Sequence, residues 1–437
     1  MNPFQNELKL MLKSKGTGKT MGKSLSDSEL ARLPHLLVSD EVSLVTKATL
    51  ITALLALQPE PNEAVFIEQL HNSPSEFIPQ EVQFLLGDLS KVPTKYLQFA
   101  TAILPLVRGQ SMSQGQCDLN FKQVFDPDMP PYYVASFLEA LRLKEETAIE
   151  NITCYHQLLE ATHRIQSHCN TVVDLSVGYD GFTRTPFLSL FVAPVLAAIG
   201  VPTVTHGIFD IGPKHGITPA KILELAGYPL QQPLSAAQEK LENAAVGWTY
   251  VDQAQSCPTL FDMVETRNLM LKRPMLSTLE KLLLPIKGSK ETIVVTSYTH
   301  PPYKAKMALL LEANPLITNY MVLRGLEGSI QLALDRKTPI VTPKHPSTAD
   351  AYIRPEEFGL SNVAAPNSAD ITAEQSLNLG LSALSGESSW ASVSIIYLAA
   401  AILSEMMGED RESAVERVRA SLLNGSALAH WQRGISV

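Results

Sequence analysis

Apolar side chains recur at helical spacing through the first 170 residues. Residues 44–57, LVTKATLITALLAL, place Leu44, Val45, Ala48, Ile51, Leu54 and Leu55 on one face. That is the period of a helix and not the alternation of a strand. Residues 133–143, YVASFLEALRL, repeat the pattern with Val134, Phe137, Leu138 and Leu141. The likeness goes beyond period: LITALLALQPEPNEA lies over FLEALRLKEETAIEN at an offset of about 87 residues. Each stretch follows a polar, glycine-containing segment, KGTGKTMGKSLSDSEL in the first case and RGQSMSQGQCDLN in the second. The pattern reads as a duplicated helical unit; the alternative is two similar amphipathic helices that share only their period.

From residue 171 the pattern changes. VVDL (172–175), VPTV (201–204), TIVVTS (292–297), YMVLRG (320–325) and TPIVTP (338–343) are short runs rich in β-formers. TPFLSLFVAPVLAAIG, after the first of them, reads as a helix stopped by Gly200. Strands alternating with helices predict a mostly parallel sheet covered on both faces. The chain then returns to helix: SWASVSIIYLAAAILSEMMG is apolar nearly all round, and RESAVERVRASLLNG carries Val415, Val418 and Leu422 on one side. The expected fold class is an all-α part beside a mostly parallel α/β part.

Composition narrows the function classes. The 437 residues suffice for two or three folding units with sizeable cores. Charged residues are only 18%, which favours buried surface over disorder. A net charge of -9 repels phosphate backbones on average, so nucleic acid would need a local basic patch. Lys9, Lys13, Lys15, Lys19 and Lys23 form the densest one, which reads as a flexible, solvated tail or a polyanion contact. Apolar runs such as Ile395 to Leu403 are short for a bilayer, and the first residues lack a signal-peptide pattern. Four cysteines are too sparse for a disulfide scaffold. The reading is a soluble, cytoplasmic protein with reduced thiols and no membrane partner.

Two tempting motifs carry little. GTGKTMGKS lacks the first glycine of a phosphate loop, since that position holds Thr17 or Lys13, and no strand pattern precedes it. Cys154, His156, His163, His168 and Cys169 lack a metal-ligand spacing; on one helix His156 and His163 would sit roughly 10.5 Å apart. The segment from Asp174 to Gly227 is more informative. One strand ends in a turn with Gly178, Asp180 and Gly181, followed by Thr183, Thr185 and Ser189. Another ends at His206-Gly207, followed by a loop with Gly212, Lys214, His215, Gly216 and Thr218. Carboxyl ends of parallel strands are where open α/β sheets bind ligands. Hydroxyls, glycine amides and a lysine there suit an anion, phosphate above all. The plainer reading is that these glycines only make tight turns.

At these residues the chain resembles the anthranilate phosphoribosyltransferases, of the nucleoside-phosphorylase-like glycosyltransferase family, over about 320 residues. DPDMPPYYVASFLEALRLKEETAIE, VPTVTHG with KHG, VETRNLMLKRPMLSTLEKLLLP, AYIRPEEFGL and AEQSLNLGLSALSG carry the match in order. The resemblance implies a helical domain beside an α/β domain, a substrate cleft between them, and a homodimer through the helical domain. It implies an extra N-terminal helical unit at 1–110, in which 1–57 repeats the family's N-terminal part. The family's helical domain would then lie at 111–170, completed by helices within about 230–285, with the α/β domain at 171–437. Arg267 matches the arginine that faces the anthranilate carboxylate, and Lys214 a lysine of the phosphate-side loop.

The departures fall on the chemistry. The family's GTGGD pyrophosphate loop is here SVGYD, Ser176 to Asp180, with Val177 and Tyr179 adding bulk where backbone should approach pyrophosphate. The adjacent Asp and Glu that hold Mg²⁺ are Ile330 and Gln331, and isoleucine offers no oxygen. Ile208 replaces the asparagine after His206-Gly207. In its YDG loop, RGLEG and TLEKLLLP the chain resembles a divergent branch that lacks the tryptophan-pathway activity and includes a nucleic-acid binder. No metal cofactor is expected. The expected function is binding of a phosphorylated or nucleotide-like ligand through Gly178, Asp180, Gly181, Thr185, Ser189, His206, Gly207, Lys214 and Arg267. The alternatives are an active pentosyl or phosphoribosyl transferase, and a nucleic-acid binder using Lys13, Lys15, Lys19 and Lys23.

Overall fold

Asn2 caps the first helix, its side chain accepting from the Phe4 amide at 2.9 Å, with Pro3 preset for the first turn. This helix, α1 (Pro3–Lys15), buries Leu8, Met11 and Leu12. The lysine-rich segment is therefore not a tail over its first half. The apolar positions between the lysines fall on one helical face and are packed. The computed structural model describes residues 2–16, 18–360 and 364–436. Thr17, at the rejected phosphate-loop position, lies outside them; the element before that segment is α1 and not a strand.

The chain divides into two units, Met1–Glu160 with Asp262–Ser277, and Ala161–Phe261 with Thr278–Val437. In the first, α1 is followed by α2 (Asp27–Val38), α3 (Leu44–Ala56), α4 (Pro61–Asn72), α5 (Thr94–Val107), α6 (Gln114–Val124), α7 (Pro131–Lys144) and α8 (Ala148–Glu160). Helices α6, α7 and α8 each begin 87 residues after α2, α3 and α4. The details repeat at the same interval. Ser26 with Glu29 and Ser113 with Gln116 both form capping boxes. Glu63 and Glu150 are both buried and accept from the Leu25 and Met112 amides at 2.9 and 3.0 Å. Each also holds a lysine at 2.6 Å, Lys15 for Glu63 and Lys144 for Glu150. The duplication read from the sequence is thus a three-helix repeat.

The two copies are not separate bodies. Helix α3 packs against α7, burying Val45 through Leu54 on one and most of Tyr133 through Leu143 on the other. The expected division near residue 110 is absent for this reason, and the unit ends at Glu160. Of the 230–285 stretch only Asp262–Ser277 joins it; its Val264–Met270 helix packs on α3 and α7, with Thr46 Oγ1 donating to the Leu269 carbonyl at 3.0 Å. Lys272 donates to the Lys13 carbonyl at 3.0 Å.

The second unit is built on β1 (Thr171–Leu175), β2 (Thr203–Gly207), β3 (Trp248–Asp252), β4 (Glu291–Ser297), β5 (Asn319–Leu323), β6 (Thr338–Val341) and β7 (Tyr352–Ile353). Among the described residues they form one sheet in the order β3-β2-β1-β4-β5-β6-β7. The first five are parallel, and β6 and β7 run antiparallel at one edge. Helices α9 (Val192–Ala198), α10 (Pro219–Leu225), α11 (Leu234–Glu242), α12 (Tyr303–Glu312), α13 (Ala373–Leu384), α14 (Trp390–Met407), α15 (Arg411–Leu423) and α16 (Ser426–Ile435) complete the unit. α9 begins later than TPFLSLFVAP suggests, because Phe187 and Leu188 give their amides to side chains of Ser376 and Gln331. α14 is long and apolar enough to cross a membrane, but most of it is buried in the core of this unit.

Candidate functional site

Strands β1 and β2 run side by side, so the loops leaving their carboxyl ends are neighbours. An isolated bridge laces them together: Phe182 and Ile217 exchange amide hydrogen bonds of 3.0 and 2.7 Å. Two glycines permit the approach. A Cβ on Gly181, at φ +74°, would meet the Ile217 carbonyl at 2.5 Å, and one on Gly216 the Phe182 carbonyl at 2.4 Å. For these two the tight-turn reading holds. A Cβ on Gly178 would meet nothing nearer than Asp180 Oδ1, at 3.7 Å.

The loop after β1 turns its bulk inward. Val177 and Tyr179 are both buried. The Tyr179 hydroxyl lies 2.5 Å from Nδ1 of His206, whose Nε2 lies 2.9 Å from the Asp174 carboxylate. All three side chains are buried. Burial raises the tyrosine pKa well above its ordinary value, and the carboxylates of Glu280 and Asp174 push it further up. Tyr179 therefore keeps its proton, and His206 bridges its hydroxyl and the Asp174 carboxylate through the two ring nitrogens. His206 is committed to this internal chain. Ser176 is likewise engaged, its hydroxyl donating to the Lys281 carbonyl.

The residues after the bridge form an anion nest, already filled. The backbone amides of Thr183, Arg184 and Thr185 converge on the carboxylate of Glu327 at 3.1, 2.9 and 3.0 Å. The hydroxyls of Thr183 and Thr185 reach it at 3.3 and 3.0 Å. Lys214 lies 3.6 Å away and also donates to the Gly181 carbonyl at 3.1 Å. These donors and the lysine hold the Glu327 pKa below the usual carboxylate range although burial pushes it up. Glu327 sits in the left-handed region, at φ 50° and ψ 22°, which costs a non-glycine residue energy. The sequence reading missed this residue. RGLEG shows only an acid between glycines, and nothing in its spacing ties it to Thr183–Thr185.

Ile330 and Gln331 have structural work. Ile330 is fully buried in the main core. Gln331 accepts from the Leu188 amide at 2.8 Å and donates to the Pro186 carbonyl at 3.0 Å, bracing the loop that enters α9. Neither supplies a carboxylate oxygen, so the pair does not fit Mg²⁺. Among the described residues no cluster of three or more His, Cys, Asp or Glu is placed to hold a metal. His156 lies on α8, which ends at Glu160, so His163 is not on the same helix.

The remaining candidates scatter. Thr185 and Lys214 belong to the nest, and Gly178 and Asp180 are partly exposed. Ser189 is buried, its hydroxyl without a hydrogen-bond partner among the described residues. Gly207 ends β2, and a Cβ there would meet Tyr250 Oη at 3.6 Å, an ordinary contact. Arg267 belongs to the helical unit, where it is buried and donates to Ser277 Oγ at 3.1 Å. Lys15 leaves the basic set, because it is buried against Glu63; Lys13, Lys19 and Lys23 are exposed. Cys257 is buried and its thiol pKa is raised by that burial, the opposite of a nucleophile. A cavity of about 420 Å³ opens beside β6 and β7, but its Arg411 is already paired with Glu357 and Glu405 at 2.8 and 3.0 Å.

Comparison with known proteins agrees with this architecture. Residues 170–428 match the glycosyl transferase family α/β domain. An anthranilate phosphoribosyltransferase of Legionella pneumophila (strain Lens) is 25% identical over 324 residues, 74% of this chain and 91% of that one. An uncharacterized protein of Aquifex aeolicus is 26% identical over 251 residues, 57% of this chain and 74% of that one. The crystal structure of anthranilate phosphoribosyltransferase from Thermus thermophilus superposes with a TM-score of 0.63 at 20% identity, covering 77% of this chain and 98% of that one. The Saccharomyces cerevisiae enzyme in complex with phosphoribosyl pyrophosphate and Mg gives 0.62 at 15% identity, covering 77% and 96%. With its sheet order, its strand-end loops and a domain match over more than half its length, the chain belongs to the glycosyl transferase family, among relatives of anthranilate phosphoribosyltransferase.

Proposed function

We propose that this chain is a family member that does not transfer phosphoribosyl groups from Mg²⁺-pyrophosphate substrates and instead binds a phosphorylated or nucleotide-like ligand at the carboxyl ends of β1 and β2. The observation that carries the reading is the nest of Thr183–Thr185 amides, two hydroxyls and Lys214 around one carboxylate. A segment that gathers this many donors on an oxyanion suits phosphate. The loss of transfer is supported by Tyr179 and Val177 filling the pyrophosphate loop and by Ile330 and Gln331 at the metal positions. Transfer from a pyrophosphate needs the leaving group's charge neutralised, and these four side chains supply none of that.

Calorimetry of the full chain with a sugar phosphate, a mononucleotide and phosphoribosyl pyrophosphate, with and without Mg²⁺, tests the reading. Saturable, Mg²⁺-independent heat with at least one of them is expected, and no ribosylated anthranilate in an assay with both substrates. Turnover would sink the non-transferase half. Silence from all three ligands at millimolar concentration would sink the binding half.

A further inference from the structure

Glu327 is a ligand made by the chain for its own anion site. Its two oxygens take up three amide protons, two hydroxyls and the flank of a lysine ammonium. Nothing in the fold of a 3₁₀ turn at Leu326–Gly328 requires that load, and the backbone accepts a left-handed conformation to deliver it. The glycines on either side are fixed by packing. A Cβ on Gly325 would meet the Gln331 carbonyl at 2.2 Å, and one on Gly328 the Thr299 hydroxyl at 2.3 Å. The turn is therefore held while the Glu327 side chain has torsions of its own.

We infer that Glu327 is an internal competitor: its carboxylate occupies a site for a tetrahedral oxyanion, and the nest takes a phosphate group only when that carboxylate leaves. The donors were assembled around a group with two oxygens and a single negative charge. A phosphate presents more oxygens and up to two charges to the same donors, so it is a fitting replacement. Any phosphorylated ligand must first displace a charge-assisted set of hydrogen bonds. Affinity for free phosphate is lowered by the fraction of molecules with the nest already closed.

The inference rests on the reading above only for the choice of phosphate as ligand class. The test is a titration of the full-length chain with inorganic phosphate, followed by ³¹P NMR, in the wild type, Glu327→Ala, Glu327→Gln and the double variant Glu327→Ala with Lys214→Ala. Glu327→Ala should bind phosphate at least about tenfold more tightly than the wild type, as expected when a competing charge is removed from a desolvated site. The double variant should lose most of that gain. If Glu327→Ala does not fold, Glu327→Gln carries the test, since it keeps the shape and removes the charge; it should also bind more tightly than the wild type. A folded Glu327 variant no better than wild type would overturn the inference, as would a wild type that already binds as tightly. Neither result bears on whether a whole sugar phosphate or nucleotide binds, which the calorimetry decides separately.

Discussion

Tyr179 Oη lies 2.5 Å from His206 Nδ1, and this bond closes the loop after β1 over a buried Asp174. Two adjacent parallel strands thereby share one hydrogen-bonded chain at their carboxyl ends. Tyr179→Phe keeps the ring and leaves buried Nδ1 without its hydrogen-bond partner. It should cost about 1–3 kcal/mol of stability, read as a shift in the urea midpoint against wild type.

Rewriting Ile330 and Gln331 as Asp and Glu should not restore a metal site. Asp at 330 would bury a charge in the main core, and Glu at 331 would lose the donation to the Pro186 carbonyl. The expected result is a loss of about 3 kcal/mol or more for Ile330→Asp alone. Thermal melts of the double variant with and without Mg²⁺ should coincide; a Mg²⁺-dependent rise would show that the loop can still assemble a site.

The repeat makes a paired prediction. Glu63 and Glu150 each hold a buried lysine and a buried amide. Glu63→Ala and Glu150→Ala should each cost about 3–5 kcal/mol, because each leaves a lysine charge buried and unanswered. The N-cap changes Ser26→Ala and Ser113→Ala should cost about 1 kcal/mol each. Urea denaturation of the four variants checks whether equivalent positions do equivalent work.

Burial lowers Lys281 to a pKa of about 8, against the nearby Glu280 and Asp180, which raise it. Lys272 is also brought to about 8, chiefly by burial. In both the folded value lies below the unfolded one, so the unfolded chain holds more protons between about pH 8 and pH 10.5. The contribution of these two lysines therefore grows with pH across that window, while the raised pKa values of buried groups such as Tyr179 and Cys257 act in the opposite direction. Lys281 should contribute on the order of 1–3 kcal/mol to the rise. Urea midpoints of the wild type and Lys281→Met, measured through the window, isolate this part: the wild type should gain on the variant as pH rises, and parallel curves would contradict it.

Much of the fold was legible because it is written in local period. The strand runs at 172–175, 292–297 and 338–343 fall on β1, β4 and β6, and the helices at 44–57 and 133–143 on α3 and α7. Trp248–Asp252 escaped because all five residues of β3 are buried and show no alternation. The 9–23 lysines hid α1, although Leu8, Met11 and Leu12 between them were a readable face. At the site, the bulk of Val177 and Tyr179 and the lack of a carboxylate at Ile330 and Gln331 were legible residue by residue. The plug was not: Glu327 reaches amides more than 140 positions earlier, a pairing that exists only once the sheet brings those loops together. The burial of Lys15 against Glu63 was hidden for the same reason, since an ammonium in a sequence does not say whether it faces water.

The three-helix repeat has one more implication. When two identical chains associate, every substitution strikes both halves at once. Here the halves are tandem segments of one polypeptide, and each can drift alone. The signs of drift are already present: Glu63 draws its lysine from α1, far outside its own triplet, whereas Glu150 takes Lys144 from the end of the helix just before it. The same charge balance is reached from two different positions, an asymmetry that a pair of identical chains could not have encoded.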